Sequence, residues 1–175
     1  MKKSLIIIAV ALLMPIVSNA QNFAKYESMK GVDAVVITNK MFKLLTKIDL
    51  NADDPETQEY IDLIENLDEI RVFTTNQSSV RNQMAADVAE YLENSSLEEL
   101  MRVKEDGKMV KFFYKPGKSE DYVSQLFMFM EGEEENEPIS VILNITGEIN
   151  LTQVSKLASD FDIPGGEQLE NIENN

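Results

Sequence analysis

Asp106-Gly107 lies between two alternating apolar runs in "LMRVKEDGKMVKFFYK", and this pair constrains the fold more than any other feature of the chain. A two-residue type I′ turn needs positive φ at both central positions, which Asp-Gly tolerates, and it joins two antiparallel strands directly. With Glu105 facing Lys108 across the turn, Val103 pairs with Val110, Met101 with Phe112 and Glu99 with Tyr114. The other face then pairs Lys104 with Met109, Arg102 with Lys111 and Leu100 with Phe113. One face reads as core, and the other as basic with apolar residues between the charges. A slip of one residue would exchange them.

Two further strands follow. Tyr122 to Met130 is apolar at both parities, as expected of a strand covered on both faces. Ile139, Val141, Leu143 and Ile145 alternate with Ser140, Ile142, Asn144 and Thr146, which suits a strand with one wetter face. Upstream, Gly31 to Thr38 is rich in β-branched residues and reads as a strand entering the core. Asn39 can cap a helix whose spacing predicts Met41, Leu44, Leu45 and Ile48 as its buried stripe. "DDPETQEYIDLIENL" predicts a second helix with Pro55 in its first turn and Tyr60, Ile61, Ile64 and Leu67 inward. Ile70 to Thr74 reads as a strand. Ser78 or Ser79 opens a third helix with Val80, Met84, Val88, Tyr91 and Leu92 inward, and Arg81, Asn82, Asp87, Glu90 and Glu93 on a solvated face. Asn150 begins a last helix with Gln153 placed as in a capping box and a stripe of Leu151, Val154, Leu157, Ala158 and Phe161.

The expected order is thus β-α-α-β-α-β-β-β-β-α. Consecutive hairpins make the sheet largely antiparallel, so the fold class is α+β: one domain, about six strands, and about four helices packed mainly on one face. Residues 21–163 form this domain, and 164–175 read as a flexible acidic tail.

Residues 1–20 read as a signal peptide. Lys2 and Lys3 give a positive n-region, Leu5 to Val17 an apolar stretch, and Ser18-Asn19-Ala20 a small-residue cleavage site, so that the mature chain begins at Gln21. The apolar stretch is shorter than the ~20 residues of an ordinary membrane span. The expected location is periplasmic or secreted, with no stable membrane insertion after cleavage. An uncleaved N-terminal anchor is the alternative.

Charge and missing residue types narrow the chemistry. Of the 16 basic residues, loss of Lys2 and Lys3 leaves 14 against 31 acidic ones, a formal charge of −17. Nucleic acid is bound mainly through Lys and Arg and is not an expected partner. There is no cysteine, so neither a disulfide nor lipid attachment at a lipobox is available. There is no histidine either, which excludes a Ser-His-Asp triad and imidazole-ligated zinc. A carboxylate pair or a Ser-Lys arrangement survives among hydrolytic schemes. With 31 acids in the chain, spacing selects no particular pair. The composition favours a binding or structural module over an enzyme, with no cofactor implied.

The segments "KGVDAVVITNKMFKLL", "LEELMRVKEDGKMVKFFYK" and "ITGEINLTQVSKLA" together resemble the exported Bacteroidetes family catalogued as domain of unknown function 4252. The resemblance runs from about Phe23 to Phe161. It implies an envelope location, a single α+β domain and no assigned activity. Some members look like lipoproteins, from which this cysteine-free chain departs. Members are often encoded near extracytoplasmic sigma factors, which implies a link to envelope sensing.

Two surfaces are candidate sites. Glu131, Glu133, Glu134, Glu135 and Glu137 offer carboxylates, but without the alternating Asp/Asn spacing and fixed glycine of a calcium loop. They read as the solvated tip of a hairpin. Arg102, Lys104, Lys111 and Lys115 concentrate positive charge around Phe113, and with Lys108 and Lys118 six of the 14 mature basic residues fall between 102 and 118. That face suits an unknown protein, a small anionic ligand or the acidic surface of another copy; its bland alternative is a solvated face with internal ion pairs. The functional expectation is an exported, non-enzymatic interaction domain in envelope sensing or homeostasis. The alternatives are a carboxylate-dependent hydrolase of an envelope or glycan substrate, and a structural or assembly module.

Overall fold

The computed structural model describes residues 23–45, 55–105, 107–119, 122–134 and 137–150. A 3-10 helix (Ala24–Ser28) precedes β1 (Asp33–Thr38), α1 (Asn39–Leu45), α2 (Pro55–Glu65) and β2 (Leu67–Thr75). Then come α3 (Ser78–Asn94), β3 (Glu98–Glu105), β4 (Lys108–Pro116), β5 (Tyr122–Glu134) and β6 (Glu137–Asn150). The expected element order therefore holds through β6. Asn150 closes that strand, and the helix expected to follow it, with its stripe from Leu151 to Phe161, lies outside the described residues, as do the leader and the tail.

All six strands form one antiparallel sheet in the order β1-β2-β6-β5-β4-β3. Gly107 has φ +80°, the positive value that the hairpin turn demands. Glu105 lies opposite Lys108, Val103 opposite Val110, Arg102 opposite Lys111 and Met101 opposite Phe112, as the turn dictates. Toward the start of β3 the register shifts. A bulge between Glu99 and Met101 sets Glu99 opposite Phe113 and Glu98 opposite Tyr114, one residue off the expected pairing. The extra residue lets Leu100 and Met101 both pack on the same apolar face, so Leu100 leaves Phe113.

The helices do not gather on one face. β5 and β6 carry buried apolar side chains at both parities, so both sides of the sheet must be covered. α1 and α2 connect β1 to its neighbour β2 and contribute Phe42, Leu63 and Ile64 to a core with Ile70, Phe112, Met128, Leu143 and Ile145. On the opposite face Val80, Met84, Val88 and Tyr91 of α3 pack on Phe73, Phe113, Phe127, Phe129 and Ile142. α3 carries the chain from β2 to the far edge at β3, four strand spacings or about 19 Å. Its 17 residues span roughly 25 Å, enough for that crossing. Phe127 centres this layer, with ring centroids 5.4 Å from Phe23, 5.3 Å from Tyr91 and 6.4 Å from Phe113.

Coverage by α3 corrects two readings. The face of β6 expected to be wetter is dry at one end, where Ser140 and Ile142 are fully buried and the Arg81 Nε donates to the Ser140 hydroxyl at 3.4 Å, and half-buried at the other, at Asn144 and Thr146. Asn144 accepts from Gln125 at 2.6 Å, and Gln125 also donates to the Tyr91 hydroxyl at 2.8 Å. Asp87 is no solvated bystander either. It accepts a short hydrogen bond from the buried Tyr26 hydroxyl and pairs with Lys25 at 2.5 Å. Burial first, and then this hydrogen bond, push the Tyr26 phenol well above its ordinary range. Of the stripe expected for α2, Ile64 and Leu67 are buried, Leu63 joins them, Ile61 is only half-buried, and the side chain of Tyr60 lies outside the described residues.

Candidate interaction surface

The hairpin cations occupy the α3 side of the sheet, but they do not converge. Arg102 faces Lys111, and Lys104 faces Met109, one pair nearer the turn. Lys115 faces Gln125, four residues and about 13 Å along β4 from Lys111. Arg102 is exposed and already paired with Glu99 at 2.7 Å. Phe113, expected among them on an accessible face, is instead buried against Phe127 beneath α3. Its place in the row Glu99-Phe113-Phe127-Asn144 puts it under the helix, whereas Arg102 and Lys104 stand toward the hairpin end.

The acid run is largely strand rather than loop. Glu131 pairs with Ser140, Glu133 with Pro138 and Glu134 with Glu137, while Glu135 and Asn136 lie outside the described residues. Among the described residues no three acidic side chains are grouped to hold a metal ion. Glu131 shares a cross-strand row with Met109 and Lys104, which places acid and base on one face at that end of the sheet.

A polar cleft of about 480 Å³ lies where β1, β2 and β6 meet, lined by Gly31, Asp33, Thr74, Thr75, Asn76, Glu137 and Ile139. Three of its polar side chains, Thr75, Asn76 and Glu137, are engaged internally. The Thr75 hydroxyl donates to the Gly31 carbonyl at 2.6 Å and accepts from the Gln77 amide at 3.2 Å, and the Asn76 amide donates to Glu137 at 3.0 Å. Gly31 holds φ +83°, a conformation that L side chains rarely adopt, so the wall of the cleft favours glycine there. The lining comes from three separated stretches of chain and leaves no motif in the sequence.

The feature with the largest departure from expectation is the segment from β1 into α1. β1 is an edge strand, not a strand entering the core, and its residues are exposed at five of six positions. In α1 the buried residue is Phe42, while Met41 and Leu44, expected inward, are 47% and 58% exposed. With Val35 at 52% and Val36 at 39%, these are the large apolar side chains left exposed among the described residues, and they fall within ten consecutive positions. The cause is the local geometry. Among the described residues β1 has a neighbour on one side only, and α1 reaches the core through Phe42, between the two exposed side chains; Ile48 and the side chain of Leu45, also expected inward, lie outside the described residues. Clustered apolar exposure of this kind marks surfaces that meet a partner.

Among the described residues no helix is long and apolar enough to cross a membrane. Comparison with the curated proteins and with the solved structures finds no match. A family model does match, described as "Domain of unknown function (DUF4252)", over residues 26–157. With three quarters of its length inside that match, the chain belongs to the DUF4252 family.

Proposed function

We propose that the protein is an exported, non-enzymatic interaction domain that docks through the β1–α1 edge. The observation that carries this reading is the exposed set Val35, Val36, Met41 and Leu44 on a domain whose other large apolar side chains, among the described residues, are buried or half-buried. Export rests on the leader-like residues 1–20, and a role in envelope sensing or homeostasis rests on the resemblance of this chain's segments to an exported family. The hairpin cations are a secondary surface, since Arg102 is internally paired and Phe113 is core.

The test is made in cells that export the full-length protein. A photo-crosslinking residue replaces Val35 or Leu44, and Glu93 on the exposed side of α3 serves as control. Adducts of defined mass from the first two positions and none from Glu93 are expected, on a chain whose N-terminus is Gln21. Exported protein that gives no adduct at either edge position would overturn the reading.

A further inference from the structure

We infer that the occupant of the β1–α1 edge is a second copy of this chain, joined by antiparallel pairing of β1 with β1 about a two-fold axis at Val36. The inference rests on the reading of this edge as a docking surface and names what docks there.

The two edges of the sheet are built differently. β3, at one end, carries five charged residues in eight, "EELMRVKE", and a bulge, both of which discourage a further strand. β1, at the other end, is "DAVVIT", with one charged residue at its first position and an unbroken register against β2. Its outer row of backbone N–H and C=O groups faces no strand among the described residues. An apolar, unguarded edge beside a guarded one is a surface built for strand addition.

Symmetry selects the register. Antiparallel strands related by a two-fold axis place one residue opposite its own copy, and opposite residues share a face. Centred on Val36, the pairing sets Val36 against Val36, Val35 against Ile37 and Ala34 against Thr38, and leaves Asp33 past the end of the ladder, because Asn39 already belongs to α1. Valine meets valine and isoleucine, and no charged residue stands within the paired stretch. Centred on Val35, the same geometry would set Ile37 against Asp33.

The helix argues for a whole second copy over a single added strand from elsewhere. Phe42 joins the core on the α1 face of the sheet, so α1 stands over that face beside β1. A lone strand would cover Val35 and Val36 but leave Met41 and Leu44 in water. A two-fold normal to the sheet brings α1 of both copies, with their exposed Met41 and Leu44, to the same side of the shared sheet.

The chain has no cysteine, so single cysteines report the contact cleanly. At the axis, Val36 and its copy would have Cα atoms about 4.5–5.5 Å apart, within disulfide range. Val35 and its copy are displaced by two residues along the strands, about 8 Å apart and out of reach. The protein is expressed from its full-length sequence, purified, and its mass measured by sedimentation. Expected are a dimer, a covalent dimer from oxidised V36C but not from V35C, and at least tenfold weaker association for V36K, which opposes two ammonium groups at the axis. Val36 is partly exposed, so V36K should fold, and its circular dichroism checks that.

A monomeric protein whose V36C thiol alkylates as fast as a cysteine at Glu93 would overturn the inference. So would a monomer with V36C shielded, which would assign the cover to another part of this chain. A dimer unaffected by V36K, or cross-linked equally by V35C, would place the contact elsewhere and also overturn it. Cellular adducts at Val35 or Leu44 to a different protein would leave the docking reading standing while removing the second copy. Absence of any adduct removes both.

Discussion

Replacing Tyr26 with Phe isolates one hydrogen bond in the layer beneath α3. The ring is fully buried beside Phe23 and Phe73, and Phe keeps those contacts. What is lost is the donation to Asp87, a bond to a charged acceptor, of a kind worth about 1.5–3 kcal/mol. Asp87 retains Lys25 at 2.5 Å and some solvent exposure, so its charge is not stranded and the lower end applies. A loss of about 1.5 kcal/mol at pH 7 corresponds to a fall of roughly 3–6 °C in Tm for a domain of this size.

The pH dependence has a definite sign. Burial and the Asp87 bond raise the Tyr26 pKa in the folded state. The contribution is therefore fully present below the ordinary tyrosine value of about 10, and it is lost as pH rises above that at up to about 1.4 kcal/mol per pH unit. Y26F lacks this loss. Urea unfolding followed by far-UV circular dichroism should show the parent ahead at pH 7 and the two curves converging near about pH 11. Equal stability at pH 7, or a constant gap from about pH 8 to 11, would refute the reasoning.

Phe127→Ala removes the ring that Phe23, Tyr91 and Phe113 share, and should cost about 3–5 kcal/mol in urea unfolding, enough to threaten expression. Reversing Arg102 and Lys111 to Glu should change stability by no more than about 1 kcal/mol, because Arg102 and its partner Glu99 are exposed. The same variant should leave cross-linking from Leu44 unchanged, and loss of those adducts would transfer the docking role to the hairpin cations.

Much of the architecture was legible because its signals are local. The Asp-Gly turn set five cross-strand pairs, from Glu105–Lys108 to Met101–Phe112, and hairpin succession implied the antiparallel meander. α3 declared its inward face through Val80, Met84, Val88 and Tyr91. What was hidden depends on long-range placement. The strand order sends α3 across the sheet, which buries Ser140 and Phe113 and draws Asp87 to Tyr26, and nothing near those residues encodes the crossing. The bulge at Glu99 arose from competition between a two-residue alternation and the apolar demand of Leu100 and Met101 together. The apolar stripe of Met41 and Leu44 reads as core in sequence because periodicity reports that a surface will be covered, not by which molecule. That same ambiguity hid the candidate site.

Backbone hydrogen exchange across Asp33–Thr38 tests the central claim most directly, because docking at β1 would tie up amides that otherwise face solvent. The account predicts that the outward amides of β1 are protected in concentrated protein and exchange faster on dilution, while β2 amides hold steady. Fast exchange of those β1 amides at every concentration, with or without the cell's other exported proteins present, would contradict it.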